Sequence, residues 1–88
     1  MAKIQQAKVI KEAKEIFGKP LDREGLKKEL SAYFTQDNYN ALINRGEYKA
    51  NAKNQFTDTD KGILNEVFFN LKSKGELQII GLFPINAN

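Results

Sequence analysis

The chain has 88 residues, enough for one small domain over residues 1–88 with a thin core. It contains no cysteine and no histidine, which removes disulfides, the preferred ligands of Zn, Cu and Fe, and catalytic sites that need a thiol or an imidazole. Its apolar fraction of 41 % is that of a folded globular domain, and its apolar runs are too short for a membrane span or a signal peptide. We therefore expect a cytoplasmic protein without metal or cofactor.

The positive charge is concentrated in the first two thirds of the chain. Residues 1–56 carry a net charge of +4, and residues 57–88 carry −1, which gives +3 in total. A basic face suits an anionic partner such as nucleic acid. The alternative is that lysine-rich helix faces only keep a small protein soluble.

Two amphipathic helices are predicted before residue 35. In the first, over residues 3–17, a stripe of apolar side chains recurs at helical spacing: Val9, Ile10, Ala13, Ile16 and Phe17. The opposite face is mostly basic and includes Lys11 and Lys14. Asp22 is the predicted N-cap of the second helix, whose inward stripe is Leu26, Leu30, Tyr33 and Phe34.

A short third helix is predicted next, with Thr35 or Asp37 as its N-cap and Gly46 at its end. The turn that separates it from the second helix is only a few residues long, so the pair is a helix-turn-helix candidate. Its exposed side chains are of types that hydrogen-bond to base edges: Gln36, Asn38, Asn40, Asn44 and Arg45. The alternative is that these side chains are simply solvated.

The second half of the chain predicts a β-hairpin, a helix and a strand. Residues 47–50 and 55–56 read as two short strands joined by an Asn-rich turn. A fourth helix begins at Thr57 or Thr59 and stops at Gly75, a C′ glycine. Residues 76–83 form the best predicted strand. The expected class is therefore α+β: mainly α, about four helices, with a small antiparallel element consisting of a hairpin or wing and a C-terminal strand.

The fourth helix has an unusually wide apolar arc. Its inward stripe is Ile63, Leu64, Val67, Phe68 and Leu71, and Phe69 extends it to one side. The extra apolar surface belongs either to the core or to an interface with a second copy of the chain. Phe68 and Phe69 are the candidate partner-contact residues.

Two motifs resemble the winged-helix regulators of the PadR and MarR types. LINRGEY at residues 42–48 is similar to the passage from a recognition helix into the wing, and TDKG at residues 59–62 is similar to the start of the helix after the wing. The resemblance covers roughly residues 21–71. It implies that Gln36, Asn38, Asn40 and Asn44 face the DNA groove. It also implies that Arg45, Lys49 and Lys53 contact phosphate around the wing.

These patterns favour a small non-enzymatic regulator that binds duplex DNA and forms a homodimer through the fourth helix. The alternative is a small protein-binding module, of the kind encoded by phages and plasmids, that regulates or inhibits a larger complex. An enzyme is disfavoured because the carboxylates fall at helix starts or exposed positions, without the paired spacing of acid–base catalysis.

Overall fold

The computed structural model describes residues 6–43 and 56–79. These residues form four helices: α1 (Gln6–Phe17), α2 (Arg23–Tyr33), α3 (Gln36–Leu42) and α4 (Asp58–Ser73). Helix α2 packs against α4, and α1 packs against both α2 and α3. Within these two ranges, no helix is both long enough and apolar enough to cross a membrane.

Side-chain caps fix three of the helix starts. The Asp22 carboxylate accepts a hydrogen bond from the backbone N–H of Gly25 at 2.8 Å, which confirms it as the N-cap of α2. Thr35 and Thr57 cap α3 and α4 in the same way, at 3.2 and 3.1 Å. At the other end of α4, Gly75 has a φ of 75°, in the left-handed region predicted for a C′ glycine.

The core is built from one stripe of each helix. Its fully buried side chains of largest volume are Tyr39, Phe68, Leu30, Leu42, Leu64, Val9 and Val67. Phe68 lies among aromatic rings from two other parts of the chain. It makes edge-to-face contacts with Phe34 at a centroid distance of 5.0 Å and with Tyr39 at 4.9 Å. Phe68 therefore joins α4 to α3 and to the end of α2.

The predicted α+β class is wrong, because the part of the chain that the structure describes contains four helices and no strand. Residues 76–79 of the predicted C-terminal strand lie in an irregular segment after α4, and residues 80–83 lie outside the described residues. Residues 47–55 of the predicted hairpin also lie outside them, and Phe56 is a buried core residue in a bend.

A side chain of α3 takes the place of a strand partner for residues 76–79. The Gln36 amide oxygen accepts from the backbone N–H of Gln78 at 2.9 Å, and its amide nitrogen donates to the Gln78 carbonyl at 3.0 Å. We call this the Gln36–Gln78 pair. It gives the backbone of Gln78 both bonds that a neighbouring strand would provide, while Leu77 is buried in the core. The described part of the segment after α4, residues 76–79, is therefore held in place by a side chain of α3 and by burial of Leu77.

An ion-pair network on the surface joins α2 to α4. Arg23 and Lys27 donate to the two carboxylate oxygens of Glu66 at 2.7 and 2.5 Å, and Lys27 also lies 3.5 Å from Glu24. Hydrogen bonds from Lys27 and then Arg23 lower the pKa of Glu66 below its usual 4.5. The charged form of Glu66 therefore favours the folded state.

We expect Glu66→Gln to reduce the acid sensitivity of the fold. A carboxylate whose pKa is lowered by folding contributes stability above its unfolded pKa of 4.5, and this stability is lost as the pH falls through the folded value. Urea midpoints measured at about pH 6 and about pH 3 should therefore fall less in Glu66→Gln than in the wild type. Glu76→Gln is the control, since Glu76 is exposed and forms no ion pair among the described residues. An equal fall in the wild type and Glu66→Gln would contradict this account.

Candidate functional site

The exposed face of α1 carries three lysines at three-residue intervals. Lys8, Lys11 and Lys14 are all exposed, and we call them the α1 lysine row. Because an α-helix rises 1.5 Å per residue, successive members lie about 4.5 Å apart along the helix axis and are surface neighbours. The opposite stripe of α1 is buried in the core through Val9 and Ala13, so the row is carried by a fixed helix and faces away from the core.

The positive charge of the α1 lysine row is not compensated by ion pairs within the described part of the chain. Four other cations of the helical domain are paired: Lys19 with Glu29, Arg23 and Lys27 with Glu66, and Lys61 with Asp58. Lys28, Lys72 and Lys74 are exposed and unpaired among the described residues, but they are not grouped on one helix face as the row is. None of the three row lysines forms such a pair within residues 6–43 and 56–79. The row therefore presents charge that is available to an external anion.

The two acids of α1 differ in their surroundings. Glu12 accepts a hydrogen bond from the Tyr33 hydroxyl at 2.8 Å, which directs this carboxylate toward α2. Burial, together with this bond, raises the pKa of Tyr33 above its usual value, so the hydroxyl keeps its proton and remains a donor. Glu15 is exposed and reduces the net charge of the α1 face from +3 to +2. The face stays basic.

The predicted base-reading residues Gln36, Asn38 and Asn40 of α3 form hydrogen bonds within the chain. Besides the Gln36–Gln78 pair, the Gln36 amide nitrogen donates to the Asn40 side-chain oxygen at 3.0 Å. The Asn38 side chain donates to the backbone carbonyl of Tyr33 at 2.8 Å. Freeing Gln36 would break three hydrogen bonds of about 0.5–1.5 kcal/mol each. That loss is comparable with the roughly 1–3 kcal/mol by which a bidentate base contact discriminates between bases.

The cleft beside the Gln36–Gln78 pair does not suit a phosphate. It is an open cleft of ≈ 580 Å³ between α3 and the segment after α4, lined by Gln36, Asn40, Gly75, Glu76, Leu77 and Gln78. Among the described residues that line it, the charged one is the acid Glu76, and α3 itself carries the acid Asp37 and no cation. An anionic ligand would be repelled here, whereas the α1 lysine row would attract it.

The remaining predicted site residues divide into two groups. Asn44, Arg45, Lys49 and Lys53 lie outside the described residues. Of the two candidate partner contacts, Phe68 is 0 % exposed and belongs to the core, whereas Phe69 is 55 % exposed on the surface of α4. The structure therefore leaves Phe69 alone as the surface aromatic of this pair.

From the sequence, Lys11 and Lys14 are candidate nucleic-acid-binding residues, whereas Lys8 falls at the flank of the outer face and is not among the candidates. The signal for Lys8 was present, because it precedes Lys11 by the same three residues that separate Lys11 from Lys14. No sequence pattern near Gln36 or near Gln78 predicts their hydrogen bonds, because 42 positions separate the two residues.

Within residues 6–43 and 56–79, no three acidic side chains are grouped closely enough to hold a metal ion. Comparison of this chain with protein-family models, with curated proteins and with solved structures gave no match. The resemblance to winged-helix regulators therefore rests on two short motifs alone.

Proposed function

We propose that this chain is a small cytoplasmic DNA-binding regulator that holds duplex DNA by its phosphates through the α1 lysine row. The observation that carries the proposal is the row itself: three exposed lysines at regular spacing, without ion pairs in the described part of the chain. The α3 helix supports base reading less well, because Gln36 and Asn38 are engaged in internal hydrogen bonds.

Lysines arranged in this way bind DNA by releasing condensed counterions. Each phosphate that a lysine neutralises frees cations from the DNA, and the gain falls as the salt concentration rises. Because α1 is anchored through Val9 and Ala13, the helix that carries the three charges does not have to be ordered on binding. A preformed basic row of this kind supplies affinity and orientation on the duplex.

Fluorescence anisotropy with a labelled random-sequence duplex of about 20 base pairs tests this proposal. We expect micromolar or tighter binding by the full chain at about 50 mM salt. Three phosphate contacts predict that the affinity falls roughly 40-fold on raising the salt to about 200 mM. Failure to bind any duplex at the lower salt concentration would rule out this function.

A second candidate function, protein binding, is favoured by the exposure of Phe69. Because Phe69 is 55 % exposed, a partner that covers it completely would contribute roughly half of the 1.5–3 kcal/mol that full burial of such a side chain gives. The partner is either a second copy of the chain or a larger complex that this chain regulates. Sedimentation equilibrium tests the homodimer: wild type should dimerise more tightly than Phe69→Ser, and a monomeric wild type would contradict it.

A further inference from the structure

We infer that this chain binds duplex DNA independently of base sequence, with α1 rather than α3 as the element that meets the DNA. The inference rests on the proposed function and specifies its substrate class. It combines two observations: the α1 lysine row forms no ion pair in the described part of the chain, and the amide side chains of α3, which a helix-turn-helix would use for readout, are hydrogen-bonded within the molecule.

Gln36 has no complete amide edge to offer a base. A Gln or Asn side chain recognises adenine by using its oxygen and its nitrogen together. Both atoms of Gln36 are bonded to Gln78, at 2.9 and 3.0 Å, and the nitrogen is shared with Asn40. The Gln36–Gln78 pair also holds the segment that follows α4. If Gln36 broke these hydrogen bonds to bind a base, the backbone of that segment would lose its partner as well.

The other two amides of α3 are restricted as well. Asn38 donates from its side chain to the Tyr33 carbonyl at 2.8 Å, across the turn that joins α2 to α3. Asn40 is exposed, but its side-chain oxygen already accepts from Gln36, so a base that bound this amide would have to share the oxygen with Gln36. This sharing disfavours at Asn40 the bidentate contact that identifies adenine.

The charge of α3 also disfavours its entry into a groove. Its one charged residue, Asp37, is exposed in the first turn and would approach the phosphates that flank any base it faced. The helix spans seven residues, and two of them, Tyr39 and Leu42, are buried in the core. On α1, by contrast, every row lysine is exposed. Phosphate contacts set position and affinity but carry no direct sequence information.

In vitro selection from a randomised duplex library, using the full chain, tests this inference. The expected result is that no motif is enriched and that selected and starting pools bind within about threefold of each other. Asn40→Ala should leave the affinity within about twofold of wild type, as should Asn70→Ala, the control from the exposed surface of α4.

Enrichment of a motif bound more than about tenfold tighter than the starting pool would overturn the inference, since a ratio of that size is the usual cost of a mismatched base pair. Loss of that preference in Asn40→Ala, but not in Asn70→Ala, would assign the readout to α3. The proposed function would survive either result. Absence of binding to the starting pool and to every selected duplex would overturn the proposed function together with this inference.

Discussion

Replacing Phe68 by alanine is expected to lower the free energy of unfolding by about 3–5 kcal/mol. The side chain is 0 % exposed and contacts the rings of Phe34 and Tyr39 edge to face. Its removal forfeits the transfer free energy of the ring and leaves a cavity between α4 and its neighbours. A domain of 88 residues has a total stability of roughly 4–13 kcal/mol. The loss is therefore a large fraction of the total stability.

The neighbouring phenylalanine is a matched control for this prediction. Phe69→Ala removes the same atoms from the same helix, one position later, but its side chain is 55 % exposed. We expect its free energy of unfolding to stay within about 0.5–1 kcal/mol of the wild type. Urea denaturation followed by circular dichroism measures both changes. Similar losses in the two variants would mean that Phe68 is not the core residue of the pair.

Removing the α1 lysine row is expected to weaken duplex binding by about 100-fold or more at 50 mM salt. The triple variant Lys8→Gln, Lys11→Gln and Lys14→Gln deletes three charges from one helix face. Glutamine keeps the helix propensity and most of the length of lysine, so the fold should be preserved. The loss of affinity follows from counterion release. Three phosphate contacts contribute to the binding constant a factor that varies inversely with roughly the 2.7th power of the salt concentration, and this factor is large at low salt.

A second triple variant controls for net charge. Lys28→Gln, Lys72→Gln and Lys74→Gln also remove three exposed lysines, and these form no ion pair among the described residues. If the row is the binding site, the affinity of the control variant for the duplex should fall only a few-fold. This smaller loss would come from the weaker long-range attraction of a less positive protein. Equal losses in the two triple variants would show that binding follows total charge rather than the face of α1.

The local chemistry of the helix ends was readable from the sequence. A cap needs one oxygen at the right position and a C′ residue needs freedom at positive φ, so Asp22, Thr57 and Gly75 are recognisable from their immediate neighbours. The apolar stripes of α1 and α4 were readable for the same reason, since helical spacing depends only on nearby positions.

The fold class was misjudged because its decisive contact is remote in sequence. Residues 76–79 have the apolar character of a strand, and no local rule indicates that a side chain on α3 will satisfy the backbone of Gln78. The same contact engages the amide of Gln36, so this residue is not available for the base contact that the sequence predicts. The sequence does not show whether an amide side chain on a short helix is hydrogen-bonded within the protein or available to a ligand. That depends on how segments distant in sequence pack against the helix.

The two adjacent phenylalanines illustrate a further limit. Neighbouring residues on a helix point about 100° apart, and the apolar arc of α4 is wide enough to include both. Which of them is buried depends on where Phe34 and Tyr39 lie. The lysines of α1 pose no such ambiguity, because long charged side chains opposite a buried stripe remain in solvent.

The salt dependence of duplex binding by single-lysine variants tests the central claim most directly. Lys11→Gln should reduce the slope of the logarithm of the binding constant against the logarithm of salt by about 0.9, the contribution of one phosphate contact. Lys72→Gln, which removes an exposed lysine near the end of α4, should leave the slope at the wild-type value. A slope unchanged in Lys11→Gln, or lowered equally in both variants, would contradict DNA binding through the exposed face of α1.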